Sequence, residues 1–329
     1  MANCHNLFTD YDGNLLLSDS RKSKLKNSRT CLRNKIRNYF KENKPEEIQP
    51  KFTSQGSFVM ETIINPTPIE KDGKTITKYD LDDGVYFLGG EEPKDRITIE
   101  TYHNWIVEAI DGHTDTPPVD KNTSVRTIFD DGHHIDMPIY YKKNSCIPEL
   151  AHKANGWVES DPAAFAEWFN EKADVTPQLR RLTRYMKGWR DARHIKNSAT
   201  RMPSGLILTI LTANNFKANN RDDIAMKDTL IAIHEELKKN FVCLRPTAPI
   251  NEDLLKEYSK ARKDYFMEQL EGVITSAKQA IEEPNQKDSC LKWQKHLGER
   301  FPCQNAKDEI EDAKEYLAPA VIRRNAGSA

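Results

Sequence analysis

The chain has 329 residues, enough for one large domain or two lobes sharing a core. Its formal net charge is −1 with 30% charged residues, so bulk charge gives no reason to bind nucleic acid or a membrane surface, and any basic site must be local. No stretch approaches the roughly 18 apolar residues of a membrane span, and the opening MANCHNLFTDYDGN has no apolar signal core; the expectation is a soluble, cytoplasmic protein.

The spacing predicts a helix over 18–43, capped by Ser18 or Asp19, with Leu25, Leu32, Ile36 and Phe40 on one face and Pro45 and Pro50 beyond its end. The next ninety residues change character. KFTSQGSFVM, TKYDLDDGVYFL, SVRTIF and HIDMPIYY are β-rich runs separated by Gly, Asp and Pro clusters, with a helical stretch at about 96–112. After Trp157 the pattern is helical, with helices over 161–172, 177–197, 204–216, 222–240, 251–282 and 286–316. Asp161-Pro162 is a helix start, Asp as cap and Pro in the first turn. The fold class is α+β. The division is an N-terminal helix plus mixed lobe at 1–156 and a helical lobe at 157–329 that completes a cleft. The tail VIRRNAGSA is small and polar and is expected to be mobile. The six cysteines (Cys4, Cys31, Cys146, Cys243, Cys290 and Cys303) form no CxxC pair or zinc frame and read as free thiols of a reducing compartment.

Candidate chemistry begins with carboxylates. In a strand, residues i and i+2 share a face, so Asp80 and Asp82 of YDLDDGVYFL project together. Two carboxylates that close repel unless a cation lies between them. Asp136 sits in a second strand pattern, HHIDMPIYY; if the two strands pair, three carboxylates converge. Such oxygen-rich sites suit Mg²⁺, and two ions there can clamp the attacking and leaving oxygens of a phosphoryl displacement. Asp83-Gly84 reads as a turn or bulge. Upstream, Ser54-Gln55-Gly56-Ser57-Phe58 is a Gly-Ser turn whose backbone N–H groups and hydroxyl suit a phosphate. A Gly-Ser turn, a DxD about two dozen residues on and a third Asp in a later strand form the signature of a polymerase-β-like nucleotidyltransferase lobe.

Over about residues 53–193 the strings SQGSF, YDLDDGVYF, HIDMPIY, W-x-x-SDP followed by AEWF, and LRRLTRYMKGWRDA resemble the bacterial cGAS/DncV-like nucleotidyltransferases. They are most similar to the branch that makes cyclic GMP–AMP. The resemblance implies a cyclic oligonucleotide second messenger made from ATP and GTP in anti-phage signalling, with two Mg²⁺ ions (Mn²⁺ as the alternative) and a cyclic-nucleotide-activated effector downstream. It also implies a ubiquitin-transfer-like ligase acting on the C-terminus. Asp80, Asp82 and Asp136 match the metal-binding and catalytic carboxylates. Gln55, Gly56 and Ser57 match the phosphate-cradling turn, and Lys187 matches a triphosphate-binding lysine. Arg126 falls near a nucleotide-contacting Arg, and Ser160 near the bound base. Ser204 stands beside Gly205, which aligns with a triphosphate-contacting Ser; Asn251 lies near an acidic base-reading position. Met60 replaces a base-stacking Tyr.

Residues 177–197 carry seven Lys/Arg against one acid, Asp191. Leu179, Leu182, Met186 and Trp189 form an apolar stripe, while Arg180, Arg184 and Lys187 form a basic one at i, i+4, i+7. The helix is therefore expected to present phosphate-binding cations, Arg184 and Lys187 among them, to a cleft. An activating nucleic acid on the same face is the weaker reading. His133-His134 lacks further ligands at metal spacing and reads as a surface strand end. Nucleotide addition to an RNA end or a protein, and an inactive nucleotide-binding module, are the competing functions.

Overall fold

The computed structural model describes residues 1–71, 74–90, 96–144, 146–196 and 202–309. In chain order the strands are β1 (Lys51–Gln55), β2 (Ile69–Lys71), β3 (Lys74–Ile76), β4 (Asp80–Gly89), β5 (Val119–Asp120), β6 (Ser124–Ile128), β7 (His134–Lys143), β8 (Glu149–His152) and β9 (Gly156–Glu159). The helices are α1 (His5–Leu15), α2 (Asp19–Asn43), α3 (Ile99–Ile110), α4 (Pro162–Val175), α5 (Gln178–Lys196), α6 (Gly205–Asn215), α7 (Asp222–Lys239), α8 (Lys260–Glu282) and α9 (Gln286–Leu297). None of the described helices is long and apolar enough to cross a membrane.

Strands β1-β4-β7-β6-β5 hydrogen-bond in that order, with β8 and β9 added beside β7 and β2–β3 a separate ribbon. Among the described strands only β4 and β7 pair in parallel, with Asp82 opposite Asp136 and Asp80 opposite His134. Asp83 and Gly84 are no turn: they pair with Ser54 and Thr53 inside β4. Asp83 is fully buried and its carboxylate accepts from Arg33 of α2, which pins that helix to the strand bearing Asp82.

Two apolar cores result. Leu25, Leu32, Ile36 and Phe40 of α2 and Tyr102, Ile106 and Ile110 of α3 cover one sheet face with Leu81, Val85, Phe87, Ile135, Met137 and Ile139. The alternation of strand side chains fixes this: Leu81 points into that core, so Asp80 and Asp82 point away from it. The second core is built from α4 to α9 around Leu182, Tyr185, Met186 and Trp189 of α5. Helix α1, outside the predicted elements, joins this second core through Leu7, Phe8, Tyr11 and Leu15, which fall on one face at i, i+1, i+4, i+8. Asn6, Thr9, Asp10, Gly13 and Asn14 fall on its outer side, so the helix is two turns of one-sided apolar surface held by its partners.

Three other expectations change. Helix α8 starts at Lys260, capped by Ser259, because residues 243–255 form an irregular loop instead of the predicted helix start at 251. Helix α9 stops at Leu297, where Gly298 takes φ +80°, and the predicted continuation through 309 is irregular; 310–316 lie outside the described residues, as does the tail. The cysteines are not all free: Pro302 and a 3₁₀ turn fold Cys303 back onto α9, where it is disulfide-bonded to Cys290.

Candidate active site

The cleft of about 490 Å³ lies between the sheet edge and α5–α6, and brings together Gln55, Gly56, Ser57, Asp80, Asp82, Ser160 and Lys187. Strand β1 ends at Gln55 and the chain turns through Gly56 at φ +71° into a 3₁₀ turn. Only glycine fits there: a Cβ on Gly56 would stand 2.7 Å from Asp82 Oδ2. The Gly-Ser turn is thus built directly on the DxD carboxylate.

The parallel register supplies the carboxylate cluster. Burial, then Asp80 and Asp136 nearby, push the Asp82 carboxyl up to about 7. Asp136 behaves oppositely. Burial opposes its charge, but Arg126 Nε and Nη2, at 2.7 and 2.6 Å, and Lys121 Nζ hold it below the ordinary carboxylate range. Arg126 stands directly opposite Asp136 across the β6–β7 pair. It is therefore the ion-pair partner of the third carboxylate, not a free nucleotide contact. The donor set fits divalent cations: three carboxylates on one face, one of them driven toward protonation by burial and by the other two. His134 is not a bare surface strand end. Its Nε2 lies 3.8 Å from Asp80 Oδ2, and Asp80, His134 and Asp136 offer ligand atoms within 4.8 Å of one another. The parallel register, invisible in sequence, puts it there. His133, in contrast, is held by Asp131 and Ser28 and stacks on Phe129.

Across the cleft, Lys187 Nζ donates to Thr62 O and Thr62 Oγ1 at 2.9 Å each. Burial, with Arg190 beside it, lowers its pKa to about 7. Arg190, Gly205 and Arg245 also line the cleft. A helical position near Lys187 was a sequence clue to Arg190; nothing local pointed to Arg245, which its loop delivers.

Three expected nucleotide contacts lie outside the cleft lining, and a fourth lines it with its side chain already engaged. Arg184 does not face this cleft: it is buried against Asp12 of α1, with Nε and Nη2 each 2.7 Å from a carboxylate oxygen. The stripe at i, i+4, i+7 stays on one face of α5, but residues 60–62 and α1 pack against that face, and of the three cations only Lys187 lines this cleft. Ser204 is exposed and caps α6, accepting from Ile207 N–H, while its neighbour Gly205 lines the cleft. Asn251 is exposed in a left-handed turn at φ +63° and does not line the cleft; Arg245 of the same loop does. Gln55 lines the cleft, but its amide is engaged: Nε2 donates to Tyr140 Oη and Oε1 accepts from Tyr86 Oη. It braces the turn rather than extending from it.

Residues 50–140 match the family described as cyclic GMP-AMP synthase DncV-like, nucleotidyltransferase domain. A cyclic GMP-AMP synthase from Escherichia coli is 26% identical over 196 residues, 44% of this chain and 43% of that protein. One from Vibrio cholerae is 30% identical over 86 residues, 26% of this chain and 19% of its own. The matched stretches thus span less than half of these relatives. The crystal structure of Vibrio cholerae DncV with nonhydrolyzable GTP superposes with a TM-score of 0.75 at 20% identity, covering 91% of this chain and 96% of that one; its likeness is of fold. The DncV form holding the linear intermediate gives 0.72.

A mixed sheet carrying three carboxylates beside a Gly-Ser turn, closed by a helical lobe, has the polymerase-β-like nucleotidyltransferase fold. Within that fold, residues 50–140 are similar to the DncV-like nucleotidyltransferase domain.

Proposed function

We propose that this protein joins ATP and GTP into a cyclic dinucleotide with release of pyrophosphate, cyclic GMP–AMP first and cyclic di-AMP second. The observation that carries the reading is the register that sets Asp82 opposite Asp136 and beside Gly56-Ser57, with Lys187 across the same cleft. Asp80, Asp82 and Asp136 would hold two Mg²⁺, or Mn²⁺, and bound divalent cations would acidify the attacking ribose hydroxyl and offset charge on the leaving pyrophosphate. The Gly56-Ser57 turn offers donors to the phosphates, and Lys187 and Arg190 supply positive charge. Asp136 is the residue closest in role to a base, and Arg126 must move before it can accept a proton. Ser160 and Arg245 also line the cleft and offer polar groups to a base edge. Positioning and charge stabilisation then account for most of the rate.

The same reading makes the chain a cytoplasmic CBASS synthase whose product activates an effector and whose C-terminus is a substrate for a ubiquitin-transfer-like ligase. Incubation with labelled nucleoside triphosphates and Mg²⁺, followed by phosphatase, tests the reaction. A resistant product of cyclic dinucleotide mass supports it. Label transferred to RNA or to a protein supports the transferase alternative instead, and no incorporation under any divalent cation returns the chain to a binding module.

A further inference from the structure

Three cations of α5 grip three successive backbone carbonyls. Arg180 Nε donates to Met60 O at 3.3 Å, Arg184 Nη1 to Glu61 O at 2.6 Å and Lys187 Nζ to Thr62 O at 2.9 Å. The middle carbonyl belongs to a residue in an unfavourable conformation. Glu61 has φ +56°, a left-handed backbone that costs a non-glycine residue energy unless its surroundings impose it. Its side chain is 76% exposed and meets only Arg180, at 3.8 Å, so the side chain does not impose it. The turn's backbone bonds, Glu61 N–H to Phe58 O at 3.3 Å and Thr62 N–H to Ser57 O at 2.9 Å, favour it, and a grip on the carbonyl side adds to them. Arg184 is buried, and its two other donors are taken by the Asp12 carboxylate at 2.7 Å each, which fixes the fork that holds Glu61 O.

The next residue links this turn to the cleft. Thr62 is fully buried; its N–H donates to Ser57 O at 2.9 Å, and its carbonyl and hydroxyl hold Lys187 Nζ. Ser57 and Lys187 therefore hang on one residue, and that residue is set by the turn before it. The geometry points to Arg184, supported by Asp12, as a positioning residue of the nucleotide site. Together with the turn's own backbone bonds, it holds Glu61 in the left-handed conformation that places Thr62 between the Gly56-Ser57 turn and Lys187. The assignment rests on the reading of the cleft as a nucleotide site. It also gives the N-terminal helix a part in that site without touching substrate.

Binding of a nonhydrolysable ATP analogue with Mg²⁺, measured by calorimetry alongside the melting temperature, tests it. Arg184→Gln weakens binding by about fivefold or more, the scale of a left-handed turn released. Arg184→Lys does not restore it, since one ammonium cannot span Asp12 and Glu61 O. Glu61→Gly alone leaves affinity within about twofold and does not lower the melting temperature, because glycine adopts this turn unaided. The double variant Arg184→Gln/Glu61→Gly recovers part of the lost affinity, a rescue that a purely structural arginine would not give. Asp12→Asn, close in shape, provides a second route if Arg184→Gln does not fold, and shows the same loss with the same rescue. Arg184→Gln or Asp12→Asn binding like the wild type overturns the assignment, as does a loss of affinity that Glu61→Gly leaves unchanged. A wild-type chain that binds no nucleotide overturns the functional reading and this assignment with it, whereas wild-type binding with unaffected variants removes this assignment alone.

Discussion

Asp82 stores an electrostatic penalty in the metal-free protein. Its carboxyl, raised from 3.8 to about 7, keeps its proton in the folded chain where the unfolded chain has lost it. Stability therefore falls as pH rises from about 4 to 7, and the full cost stands above that; three units correspond to at most about 4 kcal/mol. Asp82→Asn removes the penalty and one metal ligand together. In EDTA at pH 8 it is expected to melt about 2–4 °C above wild type. At pH 4 the difference disappears, and added Mg²⁺ raises the wild type but not the variant. Product formation is lost in Asp82→Asn and in Asp80→Asn; a double variant that still makes product removes these carboxylates from catalysis. Lys187 has the opposite sign. With its pKa lowered to about 7, the free chain loses the ammonium that a triphosphate needs as pH rises. Apparent KM for the nucleotide is expected to climb between pH 7 and 9, and Lys187→Arg, which stays charged, flattens the profile. Lys187→Ala raises KM about 10- to 100-fold, the loss of one charged hydrogen bond. A flat wild-type profile with an unchanged KM in Lys187→Ala takes the residue out of phosphate binding.

At the scale of elements, α5 shows packing overruling propensity. Gly188 stands mid-helix, where alanine is ordinarily better by about 1 kcal/mol. Here a Cβ would come within 2.3 Å of Tyr11 Oη and about 3 Å of the Leu15 methyl carbons, so α1 lies against the glycine. Gly188→Ala is expected to destabilise by about 1–3 kcal/mol, as overpacking does, and urea denaturation measures it; a gain in stability would mean that α1 does not seat there. The same pair of elements marks the edge of what sequence conveys. Helix α2 is readable to within a residue because Ser18 caps it and Leu25, Leu32, Ile36 and Phe40 repeat on one face. Helix α1 is not, because Leu7, Phe8, Tyr11 and Leu15 are buried by partners nearly three hundred residues away, Phe8 on Trp293 and Phe301. The start of α8 is hidden for a related reason: residues 251–259, NEDLLKEYS, have ordinary helical composition, but Asp253 binds the N–H groups of Cys243 and Leu255 and closes a loop.

At the scale of the molecule, the carboxylates were legible because a two-residue period assigns faces without tertiary knowledge. The partners that tune them were not: pairing of β4 with β7 brings His134 to Asp80, and pairing of β6 with β7 brings Arg126 to Asp136. Arg184 misleads for the same cause, since its Asp12 lies 172 residues away in sequence. These long-range pairs also tie the chain's beginning to the cleft. Deleting residues 1–17 would remove Leu7, Phe8, Tyr11 and Leu15 from the helical core and Asp12 from Arg184. Burying each of the four side chains contributes about 1.5–3 kcal/mol, so the apolar loss alone is roughly 6–12 kcal/mol. Unpairing a buried arginine adds about 3–5 kcal/mol. Together these match or exceed the roughly 5–15 kcal/mol that separates a folded domain from its unfolded state. The truncated chain is expected not to fold: no cooperative melting transition by circular dichroism, elution as aggregate, and no nucleotide binding. A truncated chain that melts cooperatively and runs as a compact monomer would show that α4 to α9 form a core without α1. Its affinity for a nucleotide would then separate the two contributions of the segment, because a folded chain lacking Asp12 still lacks the support for Arg184.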